Sequence, residues 1–312
     1  METLSLDSIG LKYNGQSKNN KYAGGDKTSV GQNFTEFYDK AFSHLRNCDI
    51  KFMEIGVFNG KSLAMWSDYF VNGTIYGIEI NLKTWYAYLD TLKKDGAFKS
   101  RILINIIPSR KKTENYRFEL RNDIKLIECD TFTETFAQMV HNNFGEFDII
   151  LDDGNHTAKY QYHNFDLLFD SLKPKGIYVI EDIEDPYDLY SFNGFGFIVN
   201  GVTNPRKLNI ENMRKEYVDK LKQKNAQEYE ILGKKIGRID ISLTKTPSED
   251  VRKRMVESRE NYETRMKQLE PLIQDVGLIG CAFDAIIDRK NHLIELIDHI
   301  EIRRNNIMIY KK

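Results

Sequence analysis

The segment IILDDGNHTAKYQ, residues 149–161, runs an apolar stretch into two aspartates, a glycine and a histidine. A turn uses Asp and Gly for their backbone freedom, but it has no need of His156. An imidazole three residues past a carboxylate can accept a proton near neutral pH, its unperturbed pKa being about 6.5. The plainer reading of His156 is a neighbour of a helix N-cap, bonded to backbone. A second acidic pair, Glu181–Asp182, closes the apolar run IYVIED further along the chain. If the two runs are adjacent strands, their ends lie about 5 Å apart, so Asp153, Glu181 and Asp182 can converge on one cation. An all-oxygen site with room for water suits Mg²⁺ or a similar hard ion. A hydroxyl placed between such an ion and an imidazole becomes a usable nucleophile, because the positive charge stabilises the developing alkoxide while the base takes its proton. Asp152, Asp153, Glu181, Asp182, Glu184 and Asp185 crowd this edge with no lysine among them. Like charges so close need a cation or a cationic ligand to offset them.

A second cluster lies upstream. FMEIGVFNGKS, residues 52–62, reads as strand, glycine turn and helix start. Gly56 and Gly60 let backbone approach a ligand, and the helix start offers N–H groups. The spacing matches neither G-x-G-x-x-G nor the P-loop. Glu54 sits two residues before Gly56, where it suits an ammonium rather than a phosphate. Glu79 ends the next apolar run, TIYGIEI, where a carboxylate can take both hydroxyls of a ribose. An amino acid joined to a ribose describes S-adenosylmethionine better than a dinucleotide, and Asp130 after LIEC is placed for the adenine amino group.

These residues need a scaffold. IKFMEIGV, TIYGIEI, DIKLIECD, FDIILDD and IYVIED read as strands, separated by helical stretches such as TEFYDKAFSHLR, NGKSLAMWSDYF and HNFDLLFDSL. That alternation predicts a parallel sheet with right-handed crossovers, and ligands of such sheets bind outside the carboxyl ends of the strands. Each strand ends in an acid, so the acids gather at that edge. Residues 1–35 read as loop. HIEI and IMIY, flanking a polar turn near the end, predict an antiparallel hairpin. His163 is expected on the exposed side of its helix.

The motifs EIGVFNGKS, GIEI, DDGNH and YVIED resemble the class I S-adenosylmethionine-dependent methyltransferases. More narrowly, they resemble the metal-dependent sugar O-methyltransferases that act on macrolide deoxysugars and rhamnosyl groups. GGDKTSVGQNFTEFYDKAF is similar to that group's N-terminal segment. The resemblance covers residues 22–185 and the terminal strands, and it does not extend over 205–290. It implies an α/β, Rossmann-like, doubly wound, mostly parallel seven-stranded sheet with a C-terminal antiparallel hairpin and a helical insertion. It implies one methyltransferase domain over 1–312, divided into a cap (1–47), a core (48–200), an insertion or lid (205–290) and terminal strands (291–312). By the same resemblance, Asp153, Glu181 and Asp182 are ligands of Mg²⁺ or Mn²⁺, and His156, beside Asp153, is the general base. Glu54, Gly56, Gly60, Ser62, Glu79, Asp130 and Asp152 make up the S-adenosylmethionine site. Two departures concern the acceptor. The aromatic residues after IED (Tyr187, Tyr190, Phe192, Phe195) are arranged differently, and a histidine usual near 28–32 is missing.

Composition narrows the partners. A net charge of −1 argues against a dedicated nucleic-acid binder. No apolar run approaches the ~20 residues of a membrane span, and the N-terminus lacks the apolar core of a signal peptide. Three scattered cysteines form neither a disulfide framework nor a zinc site, which suggests a reducing, cytoplasmic setting. The expected partner is a small-molecule or glycan acceptor. Residues 206–272 differ from the rest, with 17 Lys/Arg against 12 Asp/Glu. There Ser248 is a candidate N-cap, and Val251, Met255, Tyr262 and Leu269 form a seam that could cover the active site, pair with a second copy or pack on its own domain. Methylation of a catechol-like phenol and a catalytically idle scaffold are the competing functional readings. The intact acid cluster disfavours the scaffold, and an RNA methyltransferase is the weakest alternative.

Overall fold

The computed structural model describes residues 4–13, 23–96, 124–183, 195–203, 208–245, 247–303 and 305–312. They fall into two compact units, one of 1–203 with 296–312 and one of 204–295.

The first unit is built on a seven-stranded sheet: β1 (Lys51–Ile55), β2 (Thr74–Glu79), β3 (Ile124–Glu128), β4 (Phe147–Asp152), β5 (Leu172–Ile180), β6 (Ile297–Arg303) and β7 (Asn306–Lys311). Their order is β3-β2-β1-β4-β5-β7-β6. The first five pair in parallel and the last two join as an antiparallel hairpin, β7 lying against β5. This is the Rossmann-like arrangement that the sequence predicted. The order reverses between β1 and β4, and a crevice opens at such a switch point. β1 and β4 are nearly continuous apolar runs because both faces of the sheet are covered. On one side α1 (Leu6–Leu11), α2 (Thr35–Phe42), α3 (Lys61–Tyr69) and α4 (Lys83–Lys94) deliver Tyr38, Phe42, Trp66, Phe70 and Trp85 to the core. α5 (Glu134–Met139), α6 (Ala158–Leu168) and α7 (Gly196–Thr203) complete the unit.

Two expectations need correction. Residues 1–35 are not all loop: Ser5 caps α1 by accepting from the Ser8 N–H, and Leu6 and Ile9 are buried. One short turn of helix carries too few periodic residues to stand out in sequence. β5 begins at Leu172, five residues before IYVIED. Its register with β4 shifts between Phe147 and Ile149, and Lys175 takes a positive φ of 66°. That irregularity lets Lys-Pro-Lys-Gly sit inside a strand instead of ending the element before it.

The second unit contains α8 (Ile210–Leu243), α9 (Glu249–Gln274) and most of α10 (Val276–Leu296). α8 and α9 run antiparallel. Arg259 reaches Asp240 at 2.9 Å, Arg265 reaches Glu228 at 2.8 Å, and Lys235 lies over the Tyr262 ring. Val218, Asn225 and Leu232, each seven residues apart, form the buried stripe of α8. On α9 the predicted seam is the shielded side, with Leu269 buried and Val251, Met255 and Tyr262 partly so. Ser248 stands at the N-cap position, but its side chain makes no capping bond. No helix among the described residues is long and apolar enough to cross a membrane.

Candidate active site

A cavity of about 530 Å³ opens at the carboxyl ends of β1, β2, β3 and β4. Gly56, directly after β1, forms part of its wall at φ +91°, and its N–H donates to the Ile78 carbonyl at 2.8 Å. A Cβ on Gly56 would lie 2.1 Å from the Asp153 carbonyl oxygen, so glycine is required for the two strand ends to approach. The Glu79 carboxylate is held at the end of β2 by the N–H groups of Phe58 (2.8 Å) and Asn81 (3.3 Å). Asp130, following β3, accepts from the Phe132 N–H at 2.9 Å.

Of the residues expected around a cofactor, Gly56, Ser62, Glu79 and Asp130 line this cavity, while Glu54, Gly60 and Asp152 do not. Gly60 instead gives α3 its left-handed start and packs on Trp85, whose ring a Cβ would meet at 2.6 Å. Glu54 is buried, with Trp66 Nε1 3.3 Å away. Burial pushes its carboxyl up to about 7, with Lys27 pulling the other way. Asp152 is also buried. It accepts from Asn164 at 2.9 Å and from the Gly154 N–H at 3.2 Å, and burial pushes it up to about 7.

The Asp152 value yields a test. A folded pKa above the unfolded value of about 3.9 means the folded chain keeps a proton that the unfolded chain has released. Its stabilising contribution is therefore full below about pH 4 and is lost as pH rises through about 7. Asp152→Asn removes this titration, and the Asn164 amide can turn to accept from the new one. The melting temperature of the variant should fall less than that of the wild type between about pH 4 and pH 8. Parallel profiles would mean that Asp152 is ionised in the fold.

The acids at the end of β4 and β5 separate into two sets. Asp153, His156 and Asp182 form an outer group whose ligand atoms lie within 4.8 Å of one another, and all three line the cavity. His156 Nε2 is 3.4 Å from Asp153 Oδ1 and 4.0 Å from Asp182 Oδ2. Asp182 sits at φ +51°, with Asn305 from the β6–β7 turn donating to its Oδ1 at 2.7 Å. Glu181 turns inward. It is fully buried, accepts from the Tyr38 hydroxyl and lies 2.7 Å from Lys27 Nζ. Asn306 in turn donates to Tyr38.

Lys27 overturns the expectation that no lysine stands among these acids. Its side chain is 0% exposed, and Nζ reaches Asp153 Oδ2 at 2.6 Å, Glu181 Oε2 at 2.7 Å and Glu54 Oε1 at 3.8 Å. Burial alone would lower its pKa, but the three acids raise it well above the ordinary value. Asp153 has the opposite balance: burial raises it, and Lys27 and His156 hold it below the usual carboxylate range. Burial pushes the Glu181 carboxyl well up, with Lys27 pulling the other way. The ammonium that Glu54 was expected to receive from a ligand thus has a counterpart inside the chain. Asp26, the preceding residue, also lines the cavity and is pushed up to about 6 by burial.

Lys27, Asp26, Tyr38 and Asn305 escaped sequence reasoning. The segment GGDKTSVGQNFTEFYDKAF carried Asp26, Lys27 and Tyr38 without marking any of them as a site residue, and Asn305 had no signal. His163 is not on an open surface: its ring stacks on Phe132 at 3.8 Å between centroids. Phe195 is not an acceptor-loop residue either; it is buried against Tyr162 and Phe165. Glu184, Asp185, Tyr187, Tyr190 and Phe192 lie outside the described residues.

Residues 53–183 match a family model described as a methyltransferase domain. This core is similar to methyltransferase domains. The match spans the glycine turn, Glu79, Asp130 and the acid group, the same parts that surround the cavity. Two curated relatives of the methyltransferase domain are similar in sequence. Mycinamicin VI 2''-O-methyltransferase from Micromonospora griseorubida is 30% identical over 170 residues, covering 52% of this chain and 33% of that protein. A Streptomyces olivaceus 8-demethyl-8-(2-methoxy-α-L-rhamnosyl)-tetracenomycin-C 3'-O-methyltransferase is 28% identical over 169 residues, covering 52% and 35%. The chain therefore spans about a third of the length of these relatives. A solved methyltransferase of the mycinamycin pathway, in complex with Mg and SAH, aligns over 99% of this chain and 55% of that one, with 18% identity and a TM-score of 0.48.

Proposed function

We propose that this protein transfers a methyl group from S-adenosylmethionine to a sugar hydroxyl of a glycan, glycosylated metabolite or nucleotide sugar, assisted by Mg²⁺ or Mn²⁺. The observation that carries the reading is one shared cavity, lined by Gly56 and Glu79 and also by Asp153, His156 and Asp182. The residues fit both groups. A carboxylate fixed by two backbone N–H groups at the end of β2 is an acceptor pair for a ribose. The Asp153 and Asp182 carboxylates offer hard oxygen donors for a divalent ion, and the His156 imidazole, within 4.8 Å of both, stands beside them as a base. A rhamnosyl substrate in the name of one relative supports the sugar assignment.

When bound, the cofactor supplies an electrophilic methyl, and a divalent ion supplies positive charge beside the acceptor hydroxyl. The protein's own work is placement and proton transfer. Asp153 and Asp182 would hold the ion, and His156 Nε2 would take the proton that the acceptor hydroxyl gives up. Gly56, by letting the β1 and β4 ends close together, sets the distance between the cofactor wall and the acid group.

The test is a calorimetric titration of the purified protein with S-adenosylmethionine, with and without Mg²⁺, followed by methyl transfer to sugar acceptors before and after EDTA. We expect cofactor binding and EDTA-sensitive transfer restored by Mg²⁺ or Mn²⁺. Failure to bind the cofactor in either buffer would overturn the assignment; full transfer in metal-free buffer would overturn the role of the carboxylates.

A further inference from the structure

We infer that Phe58 is a cofactor-recognition residue: its ring faces the sulfonium of S-adenosylmethionine and makes the site prefer the charged cofactor to its neutral, demethylated product. This inference rests on the methyltransferase reading above.

Three observations lead there. The first is the backbone. Phe58 sits at φ +48° in the turn between β1 and α3. A bulky side chain at positive φ is a genuine outlier, and such conformations persist where the surrounding structure holds them, most often at functional sites. This turn is held from both sides. Val57 and Asn59 are buried, the Asn59 side chain accepts from the Lys61 N–H at 3.0 Å, and the Phe58 N–H donates to Glu79 Oε2 at 2.8 Å. The second is exposure. Between those two buried neighbours Phe58 is 57% exposed, and it lines the cavity. A lone exposed phenylalanine is ordinary on a protein surface; one held at a cavity by a strained backbone is not. The third is its place along the sheet, where β1 stands between β2 and β4. Glu79, proposed for the ribose, ends β2, and Asp153 and His156, proposed for the acceptor side, follow β4. The group that joins the ribose to the transferred methyl must therefore cross the end of β1, where Gly56 and Phe58 line the cavity. That group is the sulfonium. Gly56 has no side chain to offer it, and Tyr160, the other aromatic residue lining the cavity among the described residues, stands on α6 beyond β4.

The chemistry of the ring supplies the consequence. An aromatic ring has a negative face and attracts a cation placed over it, more strongly where water is excluded. A sulfonium gains from that face, whereas the neutral thioether left after transfer keeps only an apolar contact. The ring thus favours exchange of spent product for fresh cofactor. Nearby carboxylates also attract the charge, but truncating Phe58 leaves them in place.

The experiment is calorimetric titration of the full chain with S-adenosylmethionine and with S-adenosylhomocysteine, at one fixed Mg²⁺ concentration, for wild type, Phe58→Leu, Phe58→Tyr and Ile80→Ala. Phe58→Leu keeps an apolar side chain and the N–H to Glu79 but has no aromatic face. It is expected to weaken S-adenosylmethionine about fivefold and S-adenosylhomocysteine by less than about twofold, the second value also showing that the folded site is intact. Phe58→Tyr keeps the ring and should keep the wild-type ratio of the two affinities. Ile80, 64% exposed and lining the same cavity, is the apolar comparison: its truncation should weaken both ligands alike. Equal weakening of both ligands by Phe58→Leu, an unchanged ratio in that variant, or an equal change of ratio in Ile80→Ala would each overturn the inference while leaving the methyltransferase reading in place. Wild-type protein that bound neither ligand would overturn that reading, and this inference with it.

Discussion

His156→Ala is expected to cut methyl transfer by about 10²- to 10⁴-fold, the range typical of losing a positioned general base, while leaving S-adenosylmethionine affinity close to wild type. The asymmetry follows from where the imidazole stands. It lines the cavity beside Asp153 and Asp182, whereas Glu79, the carboxylate proposed for the cofactor ribose, sits at the end of β2. Its side chain is about a third exposed, at 32%, so truncation opens no cavity in the core and costs little stability. A sugar hydroxyl holds its proton tightly at neutral pH, so charge stabilisation alone leaves the proton with nowhere to go. The measurement is single-turnover transfer on an acceptor that the wild type methylates, paired with calorimetric cofactor binding by the variant. Loss of binding along with turnover would assign His156 to the cofactor. Near-wild-type transfer would mean that the base lies elsewhere, and Asp26, lining the same cavity, would be the next residue to test.

Sequence reading recovered the sheet well because its evidence was local. An acid at the end of each apolar run needs only the period of a strand to be read, and the order of elements then places those acids at one edge. What it missed came from contacts distant in the chain. Lys27 meets Asp153 and Glu181 from 126 and 154 positions away. In sequence it is one more lysine in a polar turn, and nothing in GGDK distinguishes a buried ammonium from a solvated one. The crowding of acids is visible in the sequence, but not that the chain brings an ammonium of its own to them. Asn305 and Asn306 read as an ordinary hairpin turn for the same reason; only the antiparallel pairing of β7 with β5 brings them to Asp182 and Tyr38. His163 illustrates the converse. A histidine on a helix has no local signal of its partner, and Phe132, which stacks on it, lies beyond a different strand.

The site accordingly depends on close packing of backbone as much as on its acids, and Gly56 is the most sensitive point. Gly56→Ala is expected to destabilise the protein by about 3–5 kcal/mol, combining the strain of a positive φ with overpacking. For a unit of this size, that lowers the melting temperature by roughly 10 °C. The added methyl would meet backbone, at 2.1 Å from the Asp153 carbonyl oxygen and 2.6 Å from its carbon, so no side-chain rotation relieves it. Relief requires the ends of β1 and β4 to part, which moves Asp153 relative to Lys27 and Glu79. Cofactor affinity should therefore drop even in the fraction that stays folded. Gly60→Ala is the graded comparison: it also has a positive φ, but its methyl meets the Trp85 ring, a side chain that can shift. Gly237, within α8, has nothing within 4 Å, so alanine there should stabilise the helix by about 0.5–1 kcal/mol. Thermal melts of the three variants rank the sites directly. If Gly56→Ala melted no lower than Gly60→Ala, the close approach of the β1 and β4 ends would not be the constraint that assembles this cavity.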